Sequence, residues 1–94
     1  LLSLQKALTA RQVVKITYQT PDGRVTEREI EPFAIYHNVQ EDWTLAAYCR
    51  LRQDFRAFRL DRMQKVEVLA LHFPLHSLTI KDYVENYLGR SQDP

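Results

Sequence analysis

Residues 43–62, WTLAAYCRLRQDFRAFRLDR, hold five of the chain's nine arginines, Arg50, Arg52, Arg56, Arg59 and Arg62, against two acids, Asp54 and Asp61, together with its sole Trp and sole Cys. Side chains alternate across a strand, so Trp43, Leu45, Ala47, Cys49 and Leu51 share one face and Thr44, Ala46, Tyr48, Arg50 and Arg52 the other. The apolar face is the predicted core. A short turn at Gln53-Asp54 leads into a second strand that brings Phe58 and Leu60 to the same core. That register sets Cys49 against Phe58 and Ala47 against Leu60 inside, and Tyr48 against Arg59 and Arg50 against Ala57 outside. The expected outcome is an exposed Tyr and Arg face. Arg56 falls on the core parity, and its direction is left open between a projecting hairpin end and a bulge.

Upstream, Leu1, Leu4 and Leu8 recur at helical spacing and predict a short amphipathic helix over 2–10, lying on the core as a lid. Val14, Ile16 and Tyr18 alternate with polar residues as a first strand. Thr20-Pro21-Asp22-Gly23 supplies the turn, and a second strand over about 24–31 sets Glu27, Glu29 and Glu31 opposite in parity to Arg28 and Ile30. Pro32 removes a ladder donor, which predicts a kink or edge, with continuation through Phe33 to Tyr36. Downstream, Asp61 to Lys65 reads as a polar turn, and Val66, Val68 and Ala70 mark a fifth strand. Five short, closely connected strands predict a mainly β fold, a small five-stranded barrel with a short N-terminal helix and a C-terminal helical segment. In that segment Thr79 and Asp82 can form a capping box and Leu78 and Tyr83 a hydrophobic staple, with a stripe of Ile80, Tyr83, Val84, Tyr87 and Leu88 ending at Gly89. The stripe covers either this barrel or another domain or subunit. Residues 1–73 form the expected barrel domain with its helix, and 74–94 a C-terminal extension.

Ninety-four residues allow one core, and thirteen Lys and Arg against twelve Asp and Glu leave a formal charge of +1, so attraction to anions must come from local clustering. One Cys excludes an internal disulfide framework and fits a reducing, cytoplasmic setting, and no apolar run approaches a bilayer span. The absence of an initial Met suggests a piece of a longer protein. Cys49 has core parity and no matching His, which favours a packed thiol over a nucleophile. His72 and His76 have the i, i+4 spacing of a helical metal pair, but Pro74 between them disfavours the helix, so no metal is expected. The three glutamates read as a solvated face. Without a Gly-rich phosphate loop or a Ser-centred motif, no enzyme and no cofactor are expected. Guanidinium grips phosphate with two parallel hydrogen bonds and stacks on bases, and two acids fall short of five arginines, so the cluster points to an anionic ligand. No recognition helix is evident, and Tyr48 offers a stacking platform, so an unpaired strand or a nucleotide suits the face better than duplex.

Trp43-Thr44-Leu45, Ala47-Tyr48-Cys49 and Arg56-Ala57-Phe58-Arg59-Leu60-Asp61-Arg62-Met63 resemble a WYL domain, as do Val14 to Tyr18, Asp22-Gly23 and Arg28-Glu29-Ile30-Glu31-Pro32 upstream. The resemblance implies an Sm-like or SH3-like barrel behind a winged helix-turn-helix in a bacterial transcription regulator, sensing nucleic acid or a nucleotide-like ligand. It also implies that the segment after Phe73 begins an extension that commonly contributes to dimerisation, here a homodimer. Carried over by position, the ligand-contacting candidates are Tyr48, Arg50, Arg56, Arg59 and Arg62, while Trp43, Leu45, Phe58 and Leu60 hold the barrel together. The family's Tyr is Thr44 here, which predicts the loss of one exposed aromatic surface. A different class of function, protein assembly without a nucleic-acid ligand, also suits exposed Tyr and Arg.

Overall fold

The computed structural model describes residues 2–38 and 40–87. Helix α1, Leu2–Ala10, matches the expected span and buries Leu4 and Ala7 on the sheet; Leu1 of the predicted stripe lies outside the described residues. Arg11 ends the helix in a left-handed conformation, φ 54°, and the chain enters β1, Gln12–Gln19, whose Val14, Ile16 and Tyr18 are buried. The turn to β2 closes through Gly23, at φ 90°, whose N–H donates to Thr20 O at 2.9 Å. A Cβ added there would meet nothing within 4 Å, so backbone conformation and not space demands the glycine.

Strand β2, Val25–His37, runs through Pro32 with a register shift between Pro32 and Ala34 against β3, Trp43–Cys49. The proline's missing donor produces an irregularity, as expected, without ending the strand. Strand β4, Asp54–Arg59, passes through a single 3₁₀ turn, Leu60–Arg62, into β5, Met63–His72, which begins earlier than Val66 and pairs with β1. The antiparallel sheet has the order β4-β3-β2-β1-β5, and among the described residues no pairing joins β4 to β5. Its inner face, Val14, Ile16, Tyr18, Ile30, Leu45, Ala47, Cys49 and Phe58, packs under α1. Tyr18 and Phe58 meet edge to face at 5.3 Å, and Cys49 is a packed thiol.

The β3–β4 hairpin differs from the expected register. Cys49 pairs with Asp54, Ala47 with Arg56, Leu45 with Phe58 and Thr44 with Arg59, so the loop is Arg50 to Gln53 and not Gln53-Asp54. The slide is an even number of residues, so it leaves each residue on its predicted side while changing its neighbour. Gln53 takes φ 55° and donates its N–H to Cys49 O at 2.7 Å, closing the longer loop. Leu51 and Trp43, expected in the core, are exposed because they lie at the hairpin end and the strand start.

The outer face of β3, expected to be open, is covered. Helix α2, Ile80–Asn86, begins with the predicted capping box: Thr79 Oγ1 accepts from Asp82 N–H at 3.1 Å, and Thr79 N–H donates to Asp82 Oδ2 at 3.2 Å. Its Tyr83, 3% exposed, packs with Ala46 and Phe55, flanked by Phe33, Tyr36, Tyr48 and Leu78. Tyr83 and Tyr87 of the expected stripe therefore lie on this chain's own sheet, whereas Ile80 and Val84 are exposed; Leu88 and Gly89 lie outside the described residues. Among the described residues no helix is long and apolar enough to cross a membrane.

Candidate functional site

The hairpin register separates the residues expected to form one face. Tyr48 stands opposite Phe55, and Arg59 stands opposite Thr44, four residues further along, about 13 Å at roughly 3.3 Å per residue. Tyr48 and Arg50 thus lie at the loop end of the hairpin, and Arg59 and Arg62 at its far end. Arg56, on the core parity opposite Ala47, is half-buried, its Nη1 is 4.0 Å from Asp54 Oδ2, and its Nε has no hydrogen bond. Tyr48 is half-buried, its ring set edge to face on Phe55 at 5.5 Å and 6.0 Å from His76.

Acids from outside residues 43–62 enter the electrostatics. Arg50 reaches Glu31 at 3.0 Å and Glu29 at 3.5 Å, so two of the three glutamates on β2 pair with it and do not form a purely solvated face. Arg59 forks onto Asp61 with bonds of 3.1 and 2.6 Å and also meets Asp42 at 3.3 Å. The fork holds the Asp61 carboxyl below the usual carboxylate range and raises the guanidinium's own value. Arg59 is further fixed by its backbone N–H, which donates to Tyr18 Oη at 3.0 Å. Burial raises the Tyr18 phenol, opposed by that hydrogen bond and by the charges of Arg62 and Arg59. Among the described residues, Arg52 and Arg62 have no carboxylate within 4.0 Å. The count of two acids against five arginines therefore understates neutralisation at Arg50 and Arg59.

Four side chains were assigned otherwise or passed over by the pattern. Thr44, expected to replace an exposed aromatic, is 2% exposed, and its hydroxyl donates to Asp42 O at 3.1 Å. Trp43, expected inside, is 47% exposed and lies against His37, with ring centroids 3.8 Å apart. Arg28 is 5% exposed, and its Nη1 donates to Cys49 Sγ at 3.5 Å while Nε has no partner among the described residues. Its parity with Ile30 was the available signal for that burial. His76, weighed only as a metal ligand, instead sits among Phe33, Tyr48, Phe55 and Phe73 with Nε2 3.3 Å from Glu31 Oε1. Burial lowers its pKa, opposed by the Glu31 charge. Among the described residues no group of three or more His, Cys, Asp or Glu is placed to share a metal ion. An apolar cavity of about 650 Å³ lies apart from the hairpin arginines, lined by Leu8, Phe33, Phe73, Leu75 and Ile80 among others.

The family model for the WYL domain matches residues 1–68. The chain is 33% identical over 66 residues to the uncharacterised HTH-type transcriptional regulator YobV of Bacillus subtilis (strain 168), covering 70% of this chain and 21% of that protein. It is also similar to the solved structure of proteasome accessory factor B/C (PafBC) of Arthrobacter aurescens, with a TM-score of 0.69 and 26% identity over 76% of this chain and 11% of that one. The chain thus spans only a minor part of either relative.

Proposed function

The chain belongs to the WYL domain family, and from that membership we propose that it is the ligand-sensing regulatory module of a bacterial transcription regulator. A single-stranded nucleic acid or a nucleotide-like anion docks along the β3–β4 hairpin, contacting Tyr48, Arg50, Arg56, Arg59 and Arg62. The observation that carries the reading is the spread of cations to both ends of the hairpin, with Arg62 at one end having no carboxylate within ion-pair distance among the described residues. A run of phosphates meets both ends, whereas one compact anion meets only one, so an oligonucleotide fits better than a mononucleotide. The ion pairs of Arg59 with Asp61 and Asp42 are partly exposed and give way readily to phosphate, whereas Arg50's partner Glu31 is mostly buried and holds that arginine more firmly. Regulation requires that the ligand bind two states of the full protein unequally, shifting an attached winged helix-turn-helix between them.

The Bacillus relative, an HTH-type transcriptional regulator, supports that partner. Residues 1–73 are the barrel domain and 74–94 its C-terminal extension, which contributes to a homodimer in a cytoplasmic protein. No catalytic step, metal or cofactor is assigned. Fluorescence anisotropy with a labelled oligothymidylate and the matching duplex tests the proposal. The single strand is expected to bind more tightly, with Arg59→Ala and Arg62→Ala each weakening it. Unchanged affinity in both variants contradicts the proposal. A second reading, assembly without a nucleic-acid ligand, rests on the exposed Trp43 and predicts an oligomeric state, by light scattering, that is indifferent to the oligonucleotide.

A further inference from the structure

Trp43 begins β3 directly opposite His37, the last residue of β2. It shares parity with Leu45, which is fully buried, yet the sheet's core stops short of it and leaves 47% of its surface open. The imidazole lies 3.8 Å from the indole, centroid to centroid, at an interplanar angle of 55°. On its other flank, the register that sets Thr44 against Arg59 brings Trp43 level with Leu60, the first residue of the 3₁₀ turn that carries Asp61 and Arg62 and packs on β3. The preceding residue, Asp42, receives Arg59 at 3.3 Å, and the buried hydroxyl of Thr44 bonds the Asp42 carbonyl at 3.1 Å. A large aromatic surface is therefore covered on one side by the imidazole and otherwise left largely open, at the end of the hairpin that carries the 3₁₀ turn with Arg62. Exposing an indole forgoes the gain of burying it, and a ring already immobilised loses little further entropy when something stacks on it.

We infer that Trp43, braced by His37, is a stacking platform for one nucleobase of a single-stranded ligand, with an adjoining phosphate directed to Arg62. The Arg62 charge also acts on Tyr18 of the same inner face. The inference rests on the proposed function and adds a contact that strand parity had assigned to the core. It also changes the meaning of Thr44: the residue is covered on the outer face and its hydroxyl steadies Asp42, so the exposed aromatic surface of this end is Trp43 itself. Stacking is tolerant of base identity because every base has a π-face, so the platform adds affinity and distinguishes bases from bare phosphate without reading sequence.

Trp43 is the sole tryptophan, so its emission reports on the platform directly. The whole chain is titrated with a short oligothymidylate and with an abasic deoxyribose-phosphate oligomer of equal length and charge. The oligothymidylate is expected to quench the emission severalfold more than the abasic oligomer. Trp43→Ala is expected to weaken oligothymidylate binding about tenfold, the order for one stacked base, while leaving abasic binding and the salt dependence unchanged. Trp43→Phe retains most of the affinity. Oligothymidylate binding with no emission change and no loss in Trp43→Ala overturns the platform and leaves the arginine site standing. Failure of both oligomers to bind overturns the functional reading and the platform with it. Emission that changes with protein concentration alone assigns the surface to a second copy of the chain and overturns the inference as well.

Discussion

Replacing Arg28 by Met should stabilise the protein by about 1–2 kcal/mol, an unusual direction for a change at a buried position. The side chain is 5% exposed on β2, level with Ile16 of β1, and among the described residues its hydrogen bond runs from Nη1 to Cys49 Sγ at 3.5 Å. Among the described residues Nε has no acceptor and no carboxylate lies within 4.0 Å of the guanidinium. An unmet buried donor costs about 1–3 kcal/mol, and a buried ion carries several kcal/mol of lost hydration. Against this stands a weak N–H to sulfur bond, worth well under about 1 kcal/mol, and the packing of the aliphatic stem, which Met reproduces. Arg28→Ala instead leaves a cavity whose cost, about 2 kcal/mol or more, cancels the gain. Urea unfolding followed by circular dichroism measures both, with the slope on denaturant expected to stay constant. A loss of more than about 1 kcal/mol in Arg28→Met would show that the charge is compensated in the fold, and the reasoning would fail.

Tyr83→Ala removes a ring packed on Ala46 and Phe55 and should cost about 2–4 kcal/mol, whereas Val84→Ala, on the open side of α2, should stay within about 0.5 kcal/mol. Equal effects would mean that α2 does not dock on the sheet. Tyr18→Phe strands the backbone N–H of Arg59 and should cost about 1–2 kcal/mol in the same unfolding assay; no loss would show that water replaces the phenol. For His76, burial disfavours the imidazolium in the folded chain, so the unfolded chain takes up the proton first. Stability should therefore fall as pH drops through the ordinary value of 6.5, and His76→Asn should flatten that limb. A wild-type profile flat across neutral pH would contradict the burial of that ring.

The fold was legible wherever one period settled the matter. The leucine spacing gave α1, alternation gave the core faces of β1, β3 and β4, and Thr79 with Asp82 gave the start of α2. Period-two alternation does not distinguish registers that differ by an even number of residues, which is why the faces of the hairpin were right while Cys49 was wrongly set against Phe58 and Tyr48 against Arg59. The same limit hid the loop, since Gln53 gives no glycine signal for its left-handed backbone. Burial at strand ends also escapes parity: Trp43 has an inward position but lies where the core runs out, and Thr44 has an outward one yet is covered. At the candidate site, Asp61 was visible as a partner of Arg59, whereas Asp42, Glu29 and Glu31 reach the arginines only through pairing of distant segments.

The salt dependence of oligothymidylate binding tests most directly whether the hairpin arginines hold phosphates. Each phosphate neutralised on a single strand contributes about −0.7 to the slope of log K against log salt. The wild-type slope should therefore be steep, and Arg62→Ala should make it shallower by about 0.7 with a matching loss of affinity. Binding that is equally tight at low and high salt, or a slope that Arg62→Ala leaves unchanged, would contradict the account.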